Sequence, residues 1–332
     1  MKKQSIAVLG AGSWGTALAI LLAKNGHDVL LWGRNKEKID AMHHAGENTF
    51  FLPAIPFPET LSVSSNLEQA VLQSDDLLVV VPSHAFRTTL LQINAIKPAL
   101  QSISWATKGL EPNTHQLLHQ VVDEVFPGLI KKAVISGPTF ATEVAMGLPT
   151  AVTIAANDIT YAQHLSELLC NSTFRPYISQ DIIALEIGGA AKNVMAIAAG
   201  IANGLGYGAN TRSALITRGL HEISRLCNKL GGENQTMMGL SGLGDLLLTC
   251  TDDQSRNRRM GLAIATGKSI KQAETEIKQV VEGIQAAKQI YSLAKELNIE
   301  MPIVEQVYQV LHQGLAPQKA VQNLLTREYK TE

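Results

Sequence analysis

The sequence predicts an α/β N-terminal domain built on a mostly parallel, doubly wound sheet, followed by an all-α C-terminal domain. Three observations predict it. Over the first 180 residues, short runs rich in Val, Ile and Leu alternate with amphipathic helical stretches, as expected for strands covered by helices on both faces. After residue 180 the strand pattern stops and long Ala- and Leu-containing helical periods replace it. A glycine-rich turn, GAGSWG at 10–15, ends the first apolar run and opens the first helical one.

The expected strands are SIAVLG (5–10), DVLLWG (28–33), LSVS (61–64), DLLVVV (76–81), SISWAT (102–107), AVISG (133–137), TAVTIAA (150–156) and FRPYIS (174–179). Helical patterns between them include 14–25, 36–44, 84–94 and 114–125. In the second part the helical periods cover 181–200, 211–230, 281–297 and 302–313, separated by the breaks GLGYGAN, GGENQ and GLSGLGD. The expected domains are 1–180 and 181–332. With no low-complexity linker at the boundary, the two are expected to pack closely with a cleft between them.

The chain has 332 residues, 45% of them hydrophobic and 17% charged, enough for two buried cores. A net charge of −1 and 5% aromatic residues argue against a nucleic-acid partner, which requires a basic face or stacking platforms. Cys170, Cys227 and Cys250 are widely spaced and odd in number, which fits reduced thiols in the cytoplasm; Cys250 lies close to polar residues and a reactive role is the alternative. The N-terminal segment resembles an export signal, two lysines and then an apolar run, but Gly10, Gly12, Ser13 and Gly15 interrupt it. No other stretch reaches about 18 uninterrupted apolar residues, so no stable membrane insertion is expected.

GAGSWG matches GxGxxG in the context that binds dinucleotides. Gly10 permits the tight turn, Gly12 lets backbone approach a pyrophosphate, Gly15 lets helix and strand pack closely, and the helix start supplies N–H groups. A purely structural turn is the alternative. The second strand ends at Arg34, where an NAD-only site usually has an acid; a guanidinium suits a 2′-phosphate, and a solvated surface arginine is the alternative.

Four further segments carry chemistry. SWATKGLEPN sets Lys108 just after a strand, at the edge where open α/β sheets bind ligands; it also reads as an ordinary loop lysine. SGPTFATEV puts Gly137, Pro138 and Thr139 at a strand-to-helix turn, where their backbone and hydroxyl groups face a ligand or where Ser136 or Thr139 caps the helix. In GLSGLGDLLLTCTDDQSRNRRMG, Asp245 opens a helix and shares a face with Thr249. Ser255 reads as the N-cap of the next helix, with Arg256 and Asn257 in its first turn. Such a turn suits a phosphate, and a bound anion offsets positive charge at a helix start. Arg258 and Arg259 also read as a solvated patch. Finally, LEIGGAAKNVMAIAAG surrounds Lys192 with small or apolar residues. Its neighbours at helical spacing, Gly188, Gly189, Met195 and Ala196, leave space beside the ammonium. Burial and a second cation such as Lys108 lower a lysine's pKa and Asp245 raises it, a balance that suits a proton donor; a lysine snorkelling from a helix contact is the alternative. The histidine pairs His115/His119 and His43/His44 lack a third ligand in sequence, and no metal is expected.

As an ordered set, GAGSWGTALA, VPSHAF, TKGLE, SGPTFA, AAKNVMAIAAG, GLGDLLLTC, SRNRRMG and VVEG closely resemble the bacterial NAD(P)-dependent glycerol-3-phosphate dehydrogenases over most of the chain. The resemblance implies a Rossmann domain followed by a helical domain. It implies reversible reduction of dihydroxyacetone phosphate to sn-glycerol 3-phosphate with NADPH or NADH, feeding glycerophospholipid synthesis in the cytoplasm, by a homodimer. By position it implies that Lys192 is the catalytic acid/base, with Lys108 and Asp245 assisting. It assigns cofactor binding to Gly10, Gly12, Ser13, Trp14, Gly15, Arg34, Lys108, Ala141, Arg256, Val280 and Glu282. It assigns substrate binding to Lys108, Gly137, Thr139, Lys192, Asp245, Ser255, Arg256 and Asn257. Relatives often carry Ser at the Thr139 position and another aromatic at the Trp14 position. A reductase of β-hydroxy acids shares the architecture, but its substrate has a carboxylate where SRNR here favours a phosphate; a non-catalytic NADP sensor is the other alternative.

Overall fold

The computed structural model describes residues 3–327; residues 1, 2 and 328–332, the outer ends of the two expected domains, lie outside the described residues. Two compact units are present, residues 1–111 with 116–185, and residues 112–115 with 186–332.

In the first unit, all eight expected strand segments pair into one sheet. These are β1 (Ser5–Leu9), β2 (Asp28–Trp32), β5 (Leu61–Ser64), β6 (Asp76–Val79), β7 (Ser102–Trp105), β8 (Lys131–Ser136), β9 (Thr150–Ala156) and β10 (Phe174–Ser179), in the order β10-β9-β8-β7-β6-β1-β2-β5. The strands from β5 across to β8 run parallel; β9 pairs antiparallel with β8 and β10 parallel with β9. The chain leaves β1 for β2 and β5, then recrosses to β6. The strand order therefore reverses between β1 and β6, the switch point at which open α/β sheets bind ligands.

Both faces are covered. On one side α1 (Ser13–Lys24), α6 (Ala141–Met146) and α7 (Ile159–Leu169) bury residues such as Leu18, Leu22, Val144 and Leu165 against Ile6, Val8 and Ile154. On the other, α3 (Leu67–Leu72), α4 (Ser83–Ile96) and α5 (Leu118–Val125) bury Val71, Phe86, Leu90 and Val122 against Leu9, Val79 and Trp105. The fifth helix starts at Leu118 rather than 114 because His115 has φ +57°, a left-handed conformation that a helix cannot hold. A small hairpin absent from the sequence reading, β3 (Glu47–Asn48) with β4 (Leu52–Pro56), follows α2 (Lys36–Ala45) and buries Leu52 and Ile55 in the core under α1.

The second unit is helical. Its centre is α8 (Ile182–Gly204), whose first residues belong to the first unit. By length and composition α8 could cross a membrane, yet 94% of its most apolar window is buried inside the protein, as expected of a core helix. Around it lie α9 (Ala209–Lys229), the short α10 (Asn234–Met237), a π-helical turn (Leu240–Gly244), α11 (Asp245–Thr251), α12 (Arg256–Ala265), α13 (Ile270–Ile277), α14 (Glu282–Glu296), α15 (Pro302–Gln313) and α16 (Pro317–Leu325). The small residues of α8 set its spacing to these neighbours. A Cβ on Gly188 would stand 2.5 Å from the Ser241 carbonyl oxygen, and one on Gly200 2.1 Å from that of Arg258. Glycine at these positions lets the π-turn and α12 approach to backbone contact.

Candidate active site

The glycine turn occupies the switch point of the sheet. Gly10 has φ +135° and any side chain there would strike Val80 O at 2.4 Å; a Cβ on Gly15 would lie 1.9 Å from Gly10 O. Gly12 differs: among the described residues nothing lies within 4 Å of its missing Cβ. Two glycines therefore serve packing, and the third leaves an open approach to backbone. Gly12 is also the N-cap of α1 and has no side chain to satisfy the first-turn N–H groups. Trp14 is partly buried against the core, and its Nε1–H has no partner among the described residues. An open backbone cradle at an uncapped helix start fits a dinucleotide pyrophosphate. Ser13 turns its hydroxyl inward and donates to Phe51 O at 2.7 Å.

Other expected residues of this unit also follow parallel strands of the sheet. Arg34 is exposed just beyond β2, next to Asn35, which caps α2 by accepting from Lys38 N at 2.9 Å. Lys108 is half-buried beyond β7, beside Gly109 at φ +109°, whose added Cβ would meet Ser83 Oγ at 3.1 Å. Gly137 follows β8 with φ +154° and packs against Val152. The capping alternative for this turn does not hold: the N-cap of α6 is Phe140, which makes no side-chain cap, while Ser136 ends β8 and Thr139 Oγ1 donates to Gly137 O at 3.3 Å. Ala141 is the first residue of α6.

In the second unit, Lys192 of α8 donates to Asp245 Oδ1 in a buried ion pair; the two residues are 6% and 0% exposed. This overturns the snorkelling alternative, which requires an ammonium in water. The small face beside Lys192 has a different use from the one expected. Gly188 does not leave room for a ligand; it admits the Ser241 backbone, and the π-turn behind it delivers Asp245 at the start of α11. Thr249, one turn on, donates to the Asp245 carbonyl at 2.6 Å and lies 3.5 Å from its Oδ1. Next to Thr249, burial pushes the Cys250 thiol up to about 12, so that residue is a protonated packing group and its reactive alternative fails.

The expected anion turn is formed as a helix start. Ser255 caps α12 by accepting from Arg258 N at 3.2 Å, and a hydroxyl that accepts still has a proton to donate. Arg256 Nη1 donates to Val280 O at 3.0 Å. Asn257 is buried: its Oδ1 accepts from Gly283 N at 2.8 Å and its Nδ2 donates to Asn193 Oδ1 at 2.8 Å. Asn193 in turn donates to Glu282 Oε2 at 3.3 Å. Asn193, adjacent to Lys192, is not among the site residues expected from the sequence. A buried amide on an apolar helix was the available signal, because it must find polar partners. Through it the lysine helix, the 255–257 turn and the 280–283 segment form one hydrogen-bonded block. Arg258 is not part of a solvated patch: it is 6% exposed, paired with Asp253, and donates to Asn203 Oδ1 at 2.9 Å. The i,i+4 histidine pair is not on one helix, since His115 lies before α5 and its ring is 3.2 Å from Glu296.

Comparison with known proteins agrees with these features. The N-terminal family model of NAD-dependent glycerol-3-phosphate dehydrogenase matches residues 5–162, and the C-terminal model matches residues 181–322. The chain is 54% identical over 328 residues to the glycerol-3-phosphate dehydrogenase (NAD(P)+) of Colwellia psychrerythraea, covering 98% of both chains. It is 52% identical over 332 residues to that of Pseudoalteromonas translucida, covering 99% of this chain and 98% of the relative. The crystal structure of glycerol-3-phosphate dehydrogenase from Coxiella burnetii superimposes with a TM-score of 0.95 at 48% identity, covering 98% of this chain and 99% of that one. A glycine turn at the sheet's switch point and a buried lysine–aspartate pair thus occur in a chain whose two parts match one enzyme in order: it belongs to the NAD-dependent glycerol-3-phosphate dehydrogenase family.

Proposed function

We propose that the protein is an oxidoreductase that reversibly reduces dihydroxyacetone phosphate to sn-glycerol 3-phosphate with NADPH or NADH. The observation that carries the reading is the buried Lys192–Asp245 pair, joined through Asn193 to the Ser255–Asn257 helix start. Residues 10–15, with Arg34, Lys108, Ala141, Arg256, Val280 and Glu282, would hold the dinucleotide, and its reduced nicotinamide supplies the hydride. Lys192 holds a proton at Nζ and gives it, directly or through water, to the oxygen that gains negative charge at C2; in reverse it accepts that proton. Asp245 orients the ammonium and balances its charge. Lys108 polarises or orients the carbonyl. Gly137 and Thr139 assist in substrate binding. Ser255, Arg256 and Asn257 take the phosphate, whose binding energy positions the reacting carbon. The product is a backbone precursor of glycerophospholipids, and the enzyme would act in the cytoplasm as a homodimer.

The test is loss of reduced-nicotinamide absorbance when dihydroxyacetone phosphate is added with each reduced cofactor, set against gain of that absorbance when β-hydroxy acids, the competing substrate class, are added with each oxidised cofactor. Turnover confined to the hydroxy acids would overturn the substrate assignment. Cofactor binding without turnover would overturn the catalytic one.

A further inference from the structure

The 47–56 hairpin grips the dinucleotide turn through one buried amide. Asn48 is 0% exposed, and every polar atom of its side chain is used. Its Nδ2 donates to Ala11 O at 3.1 Å and to Thr16 Oγ1 at 2.8 Å, and its Oδ1 accepts from Phe51 N at 3.1 Å. A backbone N–H can only donate and a carbonyl can only accept, so the amide has one orientation that satisfies all three. Phe51 is held at its other end too, since its carbonyl accepts from Ser13 Oγ at 2.7 Å. The hairpin is itself anchored by Leu52 and Ile55 in the core.

The position of these bonds matters. Gly10 and Gly15 are fixed by direct packing, but nothing among the described residues packs against the Gly12 Cα where a side chain would project. The peptides around Gly12 therefore rely on hydrogen bonds. A trans peptide points its C=O and N–H to opposite sides. Holding Ala11 O on Asn48 accordingly turns the Gly12 N–H away from the hairpin, and the Ser13 and Thr16 contacts fix the first turn of α1 against the same support.

We propose that Asn48 is a positioning residue for the cofactor: without touching it, Asn48 holds the 11–16 backbone in its dinucleotide-binding conformation. The inference rests on the reading of residues 10–15 as the dinucleotide turn. Loss of the amide leaves the fold of the sheet in place but lets the turn relax, so cofactor affinity falls while the substrate and proton-transfer groups of the second unit are unaltered.

The experiment is fluorescence titration of the full-length protein with NADPH, together with steady-state kinetics and thermal melting, for the parent, Asn48→Ala, Thr16→Ala and Gly12→Val. Asn48→Ala is expected to raise the NADPH dissociation constant and KM about tenfold, the scale of one or two lost buried hydrogen bonds. Its kcat and its KM for dihydroxyacetone phosphate at saturating NADPH should stay within about twofold of the parent, as expected when only binding to one ligand is lost. Thr16→Ala removes one acceptor and should give a smaller rise, about threefold. A folded Asn48→Ala with the parental dissociation constant overturns the inference, even if its melting point falls. If Asn48→Ala does not fold, an unchanged constant in Thr16→Ala does so. Gly12→Val separates the two levels: if it binds NADPH like the parent, the reading of the turn itself is wrong.

Discussion

Lys192 and Asp245 are 53 positions apart in the chain and meet as a buried ion pair at the helical core of the second unit. Removing one member of such a pair strands a charge away from water, at a cost of about 3–5 kcal/mol, whereas removing both charges is often nearly neutral. This separates folding from chemistry. Lys192→Met is expected to lower kcat/KM by roughly 10²–10⁴-fold and also to lower the melting point. Adding Asp245→Asn should restore most of the melting point and none of the activity. Recovery of activity in the double variant would show that the lysine serves only as a structural counter-ion.

Arg34 is exposed beyond β2, where a second-strand acid would hold the ribose hydroxyls of NAD. Arg34→Ala is expected to raise KM for NADPH about tenfold, the weight of a charge-assisted bond to phosphate at an exposed site, and to change KM for NADH little. Parallel titrations with both cofactors check this. An unchanged preference would show that Arg34 is a solvated surface residue.

Much of the first unit was legible because strands buried on both faces are continuous apolar runs, as β1, β6 and β9 largely are, while the more exposed β5 and β10 were legible from β-branched and aromatic residues. The antiparallel pairing of β8 with β9 was not, since periodicity carries no strand direction. The hairpin was missed because β3 has two residues and β4 contains Pro53 and Pro56, which demote a strand reading. Asn48 went unnoticed with it, because the two acceptors of its amide, Thr16 and Ala11, lie 32 and 37 positions away. In the second unit Asp245 and Ser255 were legible from glycine breaks and capping chemistry. The function of Gly188 and Gly200 was not: a sequence shows that a helix face is small, but not whether a ligand or another backbone fills the space.

The cysteines differ in a way that alkylation reads directly. Only a thiolate reacts, and it must be reachable. Cys170 is exposed, while Cys227 and Cys250 are buried and burial raises the Cys250 thiol to about 12. Iodoacetamide at pH 8 on the native protein should therefore modify Cys170 and leave Cys250 unlabelled until the chain is unfolded, as peptide mass spectrometry will show. Rapid native labelling of Cys250 would contradict the packing around Lys192 and Asp245.

Glu222 gives the stability a pH dependence. It projects from α9 to the start of α15, where Ile303 N donates to its Oε1 at 2.8 Å and Val304 N to its Oε2 at 3.3 Å. The N-cap of α15, Met301, makes no side-chain cap of its own, so this carboxyl substitutes for one from another helix. Burial raises its pKa from 4.5 to about 7, and the two backbone donors offset only part of that. An acid whose pKa is raised on folding holds its proton more tightly in the native state. Its contribution is complete below pH 4.5 and is lost as the pH rises toward 7. At about 1.4 kcal/mol per pH unit, the loss is of order 3 kcal/mol. Glu222→Gln cannot ionise, so the stability of the parent minus that of the variant should fall by about this amount between pH 4 and 8, measured by urea unfolding at each pH. Subtracting the variant removes the titration of every other group. A difference that stays flat across this range would mean that the carboxyl titrates in the folded protein as it does in the unfolded chain, the α15 N–H groups offsetting burial in full, and a difference that rises with pH would mean that they outweigh it.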